Sequence, residues 1–156
     1  MDERIVEALT KVLDDRHSTR AFVRGAEILS EDVTKIIQAA GRAPYASGGP
    51  RSLIHIAMDD VDGKYKTACA EQPYVQDASM RMIFLGKDDG AILRSGRPKY
   101  IYDAIASCMC ADIMATALGY GTCWIGNFEA SKVQALTPES LSPVIILLVG
   151  VIKTDG

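Results

Sequence analysis

Apolar positions recur at helical spacing in three long stretches of the chain and run strand-like in four others. Residues 2–15 place Ile5, Val6, Leu9, Val12 and Leu13 on one stripe, and the acidic residues at the start suit the positive end of a helix dipole. Ser30 stands where an N-cap is needed for a second helix. Glu31 and Asp32 fill its first turn, Val33, Ile36, Ile37 and Ala40 its apolar side, and Gly41 stops it. Residues 42–52, with Pro44, Gly48, Gly49 and Pro50 in quick succession, read as a loop. Strands are predicted over 53–58, 79–85, 122–125 and 144–149, and in the second Met80, Met82 and Phe84 alternate with Arg81, Ile83 and Leu85. Shorter helices are predicted over 64–72 and 131–136.

The longest pattern, residues 100–120, is apolar nearly all round, from Ile101 through Ile105, Met109 and Ile113 to Leu118. A helix without a polar face must be covered on every side. Its small residues, Ala104, Ala106, Ser107, Cys108, Ala111 and Ala115, admit close approach by other helices. A second subunit is the simplest cover, with Ala111 in the subunit interface, and burial within the monomer is the alternative. Two helices followed by strands separated by helices point to an α+β or three-layer α/β domain.

Composition narrows the class. The 156 residues (16.8 kDa) suit a single domain over residues 1–156, with no repeat, low-complexity tract or linker to divide it. Seventeen Lys+Arg against twenty Asp+Glu give a net charge of −3, so no nucleic-acid partner is expected. The longest uncharged apolar run, residues 143–152, is half the ~20 residues a membrane span needs. The opening Met1-Asp2-Glu3-Arg4 carries no apolar signal segment, so the expectation is a cytoplasmic protein with no membrane partner. Cys69, Cys108, Cys110 and Cys123 form no CxxC pair and have no His at ligand spacing. They read as small buried hydrophobes, with no metal site.

Three segments carry candidate chemistry. Arg16-His17-Ser18-Thr19-Arg20 packs two guanidiniums, a hydroxyl and an imidazole into five residues, a donor set suited to a phosphate, and Phe22 suggests that it folds back on the core. The loop Ala43-Pro44-Tyr45-Ala46-Ser47-Gly48-Gly49-Pro50 offers small side chains against a flat ligand, but no dinucleotide fingerprint and no phosphate loop. In Gly119-Tyr120-Gly121-Thr122-Cys123-Trp124-Ile125-Gly126-Asn127-Phe128, a helix exit leads into a strand ending at Gly126, whose N–H faces a ligand unhindered. A solvated basic turn, an ordinary turn and a strand end with an aromatic plug are the plain structural alternatives.

Taken together, the three segments resemble the nitroreductase-like family of FMN-dependent oxidoreductases from Ile5 to Gly150. The likeness is carried by Arg16-His17-Ser18-Thr19-Arg20-Ala21-Phe22 and by Asp103, Ala115, Ala117-Leu118-Gly119-Tyr120-Gly121, Trp124-Ile125-Gly126 and Phe128. The resemblance implies a three-layer α/β/α sandwich with a mixed, mainly antiparallel sheet and an intertwined homodimer. It implies FMN held at its phosphate and ribityl chain by Arg16, Ser18 and Arg20, with His17 nearby. It implies Pro44, Tyr45, Ala46 and Ser47 of the partner subunit against the ring, and Ile125, Gly126 and Asn127 beside flavin N5. NAD(P)H is then the electron donor and a small oxidised molecule (a nitroaromatic, quinone or similar) the acceptor, in ping-pong fashion and with no catalytic side chain.

Departures are confined to the loop and the chain end. Mainstream members carry Asn and then Gln-Pro-Trp where this chain has Gly48, Pro50, Arg51 and Ser52. The Gly-Gly-Pro-Arg-Ser version, with Glu71-Gln72 and Asp77-Ala78, is closer to the branch of thiazole/oxazole-forming peptide dehydrogenases. Lys99-Tyr100 is the nearest match in type to that branch's Lys-Tyr pair, and Lys153 is the candidate for the family's C-terminal basic residues. The alternatives implied are a flavin-binding protein with little turnover or a specialised azoline/peptide dehydrogenase. Asp103 and Asp112 read as interface or capping residues.

Overall fold

The structure, a computed structural model, describes residues 2–138 and 140–155, so the expected domain limits, residues 1 and 156, lie outside the described residues. The elements are α1 (Glu3–Asp15), α2 (Ser30–Ala40), β1 (Ser52–Ala57), α3 (Lys64–Ala68), α4 (Pro73–Asp77), β2 (Met80–Gly86), α5 (Lys99–Ala117), β3 (Gly121–Ile125), α6 (Ala130–Ala135) and β4 (Ser142–Gly150). Asp2 caps α1 by accepting the Arg4 N–H at 3.0 Å. The capping expectation for α2 shifts by one residue: Leu29 is the cap, and Ser30 is already helical. The helix expected over 64–72 ends at Ala68, because the chain turns through Ala70 and Glu71, both at φ 58°, and a further short helix, α4, begins beyond it at Pro73.

The four strands form one sheet in the order β1-β2-β4-β3, with every ladder antiparallel. Among the described residues, the parallel contribution is an isolated bridge between Ser18 and Thr122. Alternation sends Met80, Met82 and Phe84 of β2 into one cluster with Ala104, Cys108 and Ala111 of α5 and Ile36 of α2. It sends Ile83 and Leu85 into the other, with Tyr65, Val75 and Val133 of α3, α4 and α6. Two helical layers therefore sandwich the sheet, as expected.

Arg81 also points to that second layer, fully buried. Its guanidinium donates to the carbonyls of Val75 (2.7 Å), Gln76 (3.4 Å) and Ala78 (3.1 Å), satisfying the C-terminal end of α4.

The all-round apolar helix α5 divides its faces. Ala104, Ser107, Cys108, Ala111 and Ala115 are buried by this chain's own sheet and α2, so Ala111 is a monomer core residue and not part of a subunit interface. Ile101, Tyr102 and Met109 face outward and stay exposed. The stripe of α1 is likewise uncovered: no residue of α1 is buried, and Ile5, Val6, Leu9 and Leu13 are all exposed. Among the described residues, no helix is long and apolar enough to cross a membrane.

Candidate active site

Where α1 ends, Arg16 leaves the helix with extended backbone, its N–H still bonded to the Val12 carbonyl at 3.0 Å. The segment that follows is stitched to the sheet rather than free. The Thr19 N–H donates to the Thr122 carbonyl at 2.7 Å, Lys153 N–H to Ala21 at 2.9 Å and Val23 N–H to Val151 at 2.9 Å. Phe22, bridged to Ile152, is 3% exposed, as its position in the sequence suggests. This crossing needs a glycine at 121, because a Cβ there would stand 2.8 Å from both Thr19 and Ile152.

Alternation along the extended segment separates its donors. His17 and Thr19 line a cavity of about 280 Å³ with Asp15, Thr116, Tyr120 and Ile152, which Arg16, Ser18 and Arg20 do not line. The His17 ring donates from Nδ1 to the Asp15 carbonyl at 2.8 Å, since a carbonyl only accepts. His17, expected beside the arginines, is thus turned away from them. Arg20 is exposed and makes no ion pair among the described residues.

Arg16 reaches a buried partner. Its Nη1 lies 3.8 Å from Oδ2 of Asp112, a fully buried carboxylate on α5. The same carboxylate accepts from Thr122 Oγ1 at 2.6 Å and Trp124 Nε1 at 2.7 Å. Thr122 and Trp124 are two apart on β3, so both face α5 and one carboxylate can hold both. Past the end of β3, Gly126 and Asn127 are exposed, and a Cβ at 126 would meet only Ile145 Cδ1, at 3.8 Å. Ile125 is buried in the opposite cluster.

The loop is shaped by the other acidic residue of α5. Asp103, 3% exposed, accepts the Ala46 N–H at 2.9 Å and the Arg51 N–H at 3.0 Å. The Arg51 guanidinium donates to Ser47 O, Gly49 O and Asp89 Oδ2, while Lys99 Nζ donates to Ser47 Oγ at 3.3 Å. Pro44, Tyr45, Pro50, Leu53, Asp103 and Ser107 line a cavity of about 370 Å³. The loop enters β1, one edge of the sheet, whereas Ser18, Arg20 and Gly126 lie at β3, the opposite edge. Three strand spacings, about 14 Å, separate those edges. A single chain therefore does not bring the two groups together.

The chain matches the Nitroreductase family over residues 13–151. It belongs to that family. Among solved structures, this nitroreductase-family chain is similar to a nitroreductase family protein from Clostridium novyi NT. That pair is 25% identical over 93% of this chain and 85% of that one, with a TM-score of 0.84. NfrA2 of B. megaterium shares the fold at 23% identity, covering 94% and 67% of the two chains (TM-score 0.81). So does an FMN-dependent nitroreductase from Clostridium difficile R20291, at 19% identity over 93% and 88% (TM-score 0.78). No curated protein matches the chain.

Another polar pair of the nitroreductase-family chain ties two helices together. The Tyr120 hydroxyl donates to Asp32 Oδ2 at 2.7 Å and accepts from the Leu29 N–H, so it fastens the start of α2 to the exit of α5. That hydrogen bond, and Lys35 beside it, lower the Asp32 pKa below its ordinary 3.8. Burial pushes the Cys69 thiol up to about 11 and raises Cys108 and Cys123 as well. Those three are buried and uncharged at neutral pH, while Cys110 is half-buried. The sequence reads Asp103 and Asp112 as interface or capping residues, and their specific roles in loop and strand escape it because their partners lie on other elements.

Proposed function

We propose that this chain is an FMN-dependent oxidoreductase that works as a homodimer, with two clefts each shared between subunits. The observation that carries the proposal is the split of the site: a phosphate-type donor set and an open strand end at one sheet edge, and a shaped small-residue loop at the other. Two copies related by a two-fold axis can bring one chain's β3 edge to the other's loop. The uncovered apolar stripe of α1 and the outward residues Ile101, Tyr102 and Met109 of α5 supply a surface for that pairing.

Arg16 and Arg20 hold the phosphate in fork geometry, with the Ser18 hydroxyl as a third donor. The residues fit such a group: Arg20 makes no ion pair among the described residues, and Gly126 leaves the space a side chain would fill. Backbone N–H groups at Gly126 and Asn127 are the donors for the ring edge, and Pro44, Tyr45, Ala46 and Ser47 of the other chain cover its face and exclude water. Bound there, FMN supplies hydride transfer at N5, from NAD(P)H to a small oxidised acceptor such as a nitroaromatic or quinone, in alternating half-reactions. The FMN dependence of the similarly folded C. difficile protein supports the choice of cofactor.

Purified protein tests the proposal. The expected result is a yellow dimer by sedimentation velocity, releasing FMN on denaturation and bleached anaerobically by NADH or NADPH. A colourless monomer that FMN does not reconstitute overturns it. A yellow protein that neither nucleotide reduces leaves flavin binding and refutes the oxidoreductase assignment. The unusual segment from Gly48 to Ser52, locked by Arg51, would then point to a specialised acceptor or to flavin holding.

A further inference from the structure

Asp112 is an acidic residue of α5 whose side chain has no exposed surface. A carboxylate with no exposed surface on a helix otherwise packed by Cys108, Ala111 and Ala115 is unfavourable unless its charge is offset. Thr122 and Trp124 satisfy hydrogen bonds but bring no charge, and an asparagine would retain part of that bonding. Among the described residues, the only cation paired with Asp112 is Arg16. The pair is long, 3.8 Å, and Oδ2 already receives the Trp124 N–H at 2.7 Å. Arg16 is therefore held by charge without spending its hydrogen-bond donors, and its side chain keeps 32% of its surface exposed.

We propose that Asp112 is a positioning residue: it fixes the Arg16 guanidinium at the edge of β3 so that its free donors recognise the phosphate of FMN and set the preference for FMN over riboflavin. The proposal rests on the flavin assignment above. Asp112 touches neither cofactor nor substrate and acts only through Arg16, while its bonds to Thr122 and Trp124 hold the neighbouring strand in the same frame.

The test compares dissociation constants of FMN and riboflavin, measured by quenching of flavin fluorescence. Asp112→Asn keeps the size of the side chain and removes the charge. Affinity for FMN is expected to fall about tenfold, the size of one hydrogen bond to a charged group, with riboflavin affinity unchanged. Equal losses for both ligands would show a merely structural role and overturn the proposal, as would an unchanged or tighter FMN constant. Arg16→Lys answers independently if Asp112→Asn does not fold. Lysine keeps the charge but cannot pair with Asp112 and offer a fork at once, so the FMN preference is expected to drop. Full retention of the preference in Arg16→Lys overturns the proposal. Wild-type protein that binds neither flavin refutes the flavin assignment itself. Wild-type preference for FMN that survives both variants refutes only the role of Asp112.

Discussion

Asp103 accepts two backbone N–H groups from a loop more than fifty residues away in sequence, which Arg51 also braces through the Ser47 and Gly49 carbonyls. Asp103→Ala leaves both amides without their acceptor, a loss of about 2–4 kcal/mol if neither finds water. Urea unfolding should show that loss, and amide exchange should quicken across residues 44–51. A loss below about 0.5 kcal/mol would mean that solvent replaces the carboxylate readily. The Tyr120–Asp32 pair carries its own pH signature. Its bond lowers the Asp32 pKa, so the stabilisation is complete above 3.8 and fades as pH falls through the lowered value. Burial, and then the same bond, raise the Tyr120 pKa above its ordinary 10.0, so stabilisation is also lost as pH climbs through that raised value. The melting-temperature gap between wild type and Tyr120→Phe should be flat between those limits and shrink outside them. A gap that widens at pH 3 would contradict the assigned bond. None of these partnerships was legible in the sequence, because a carboxylate announces its charge and not which distant amide, indole or hydroxyl it will meet.

At the scale of elements the sequence said more, and its omissions have local causes. Periodicity placed α1, α2, α5 and all four strands to within a few residues, since each buries a stripe or face long enough to leave a pattern. The five-residue α4 was missed because so short a helix holds no full period and is closed by Arg81 from another element. Helix α5 looked uniform because its inner and outer faces are both apolar, and only the fold reveals which is covered by this chain. The two faces should respond differently. Ala111→Trp overpacks the inner face and is expected to cost at least about 3 kcal/mol in thermal or urea unfolding. Met109→Glu lies on the outer face and should leave the fold intact while separating dimers into monomers in sedimentation velocity. A folded, dimeric Met109→Glu protein would remove α5 from the subunit interface.

The whole molecule raises a question of geometry, because its candidate ligand-holding groups sit at opposite edges of one sheet. If each cleft takes β3 from one chain and the loop from the other, two differently damaged chains can repair one another. Let one chain carry Arg16→Ala with Arg20→Ala, and the other Ala46→Trp, which fills the loop. Neither homodimer has an intact cleft. In a mixed dimer, the arginine-bearing edge of the loop variant faces the intact loop of the arginine variant, so one of its two clefts is whole. Random pairing makes half the dimers mixed, and flavin binding should return to about a quarter of the wild-type sites on co-expression. A cleft built within one chain would give no recovery, since every chain then carries a damaged site. Bound flavin per chain, measured for each variant alone and for the mixture, therefore decides whether the two sheet edges meet across a subunit boundary.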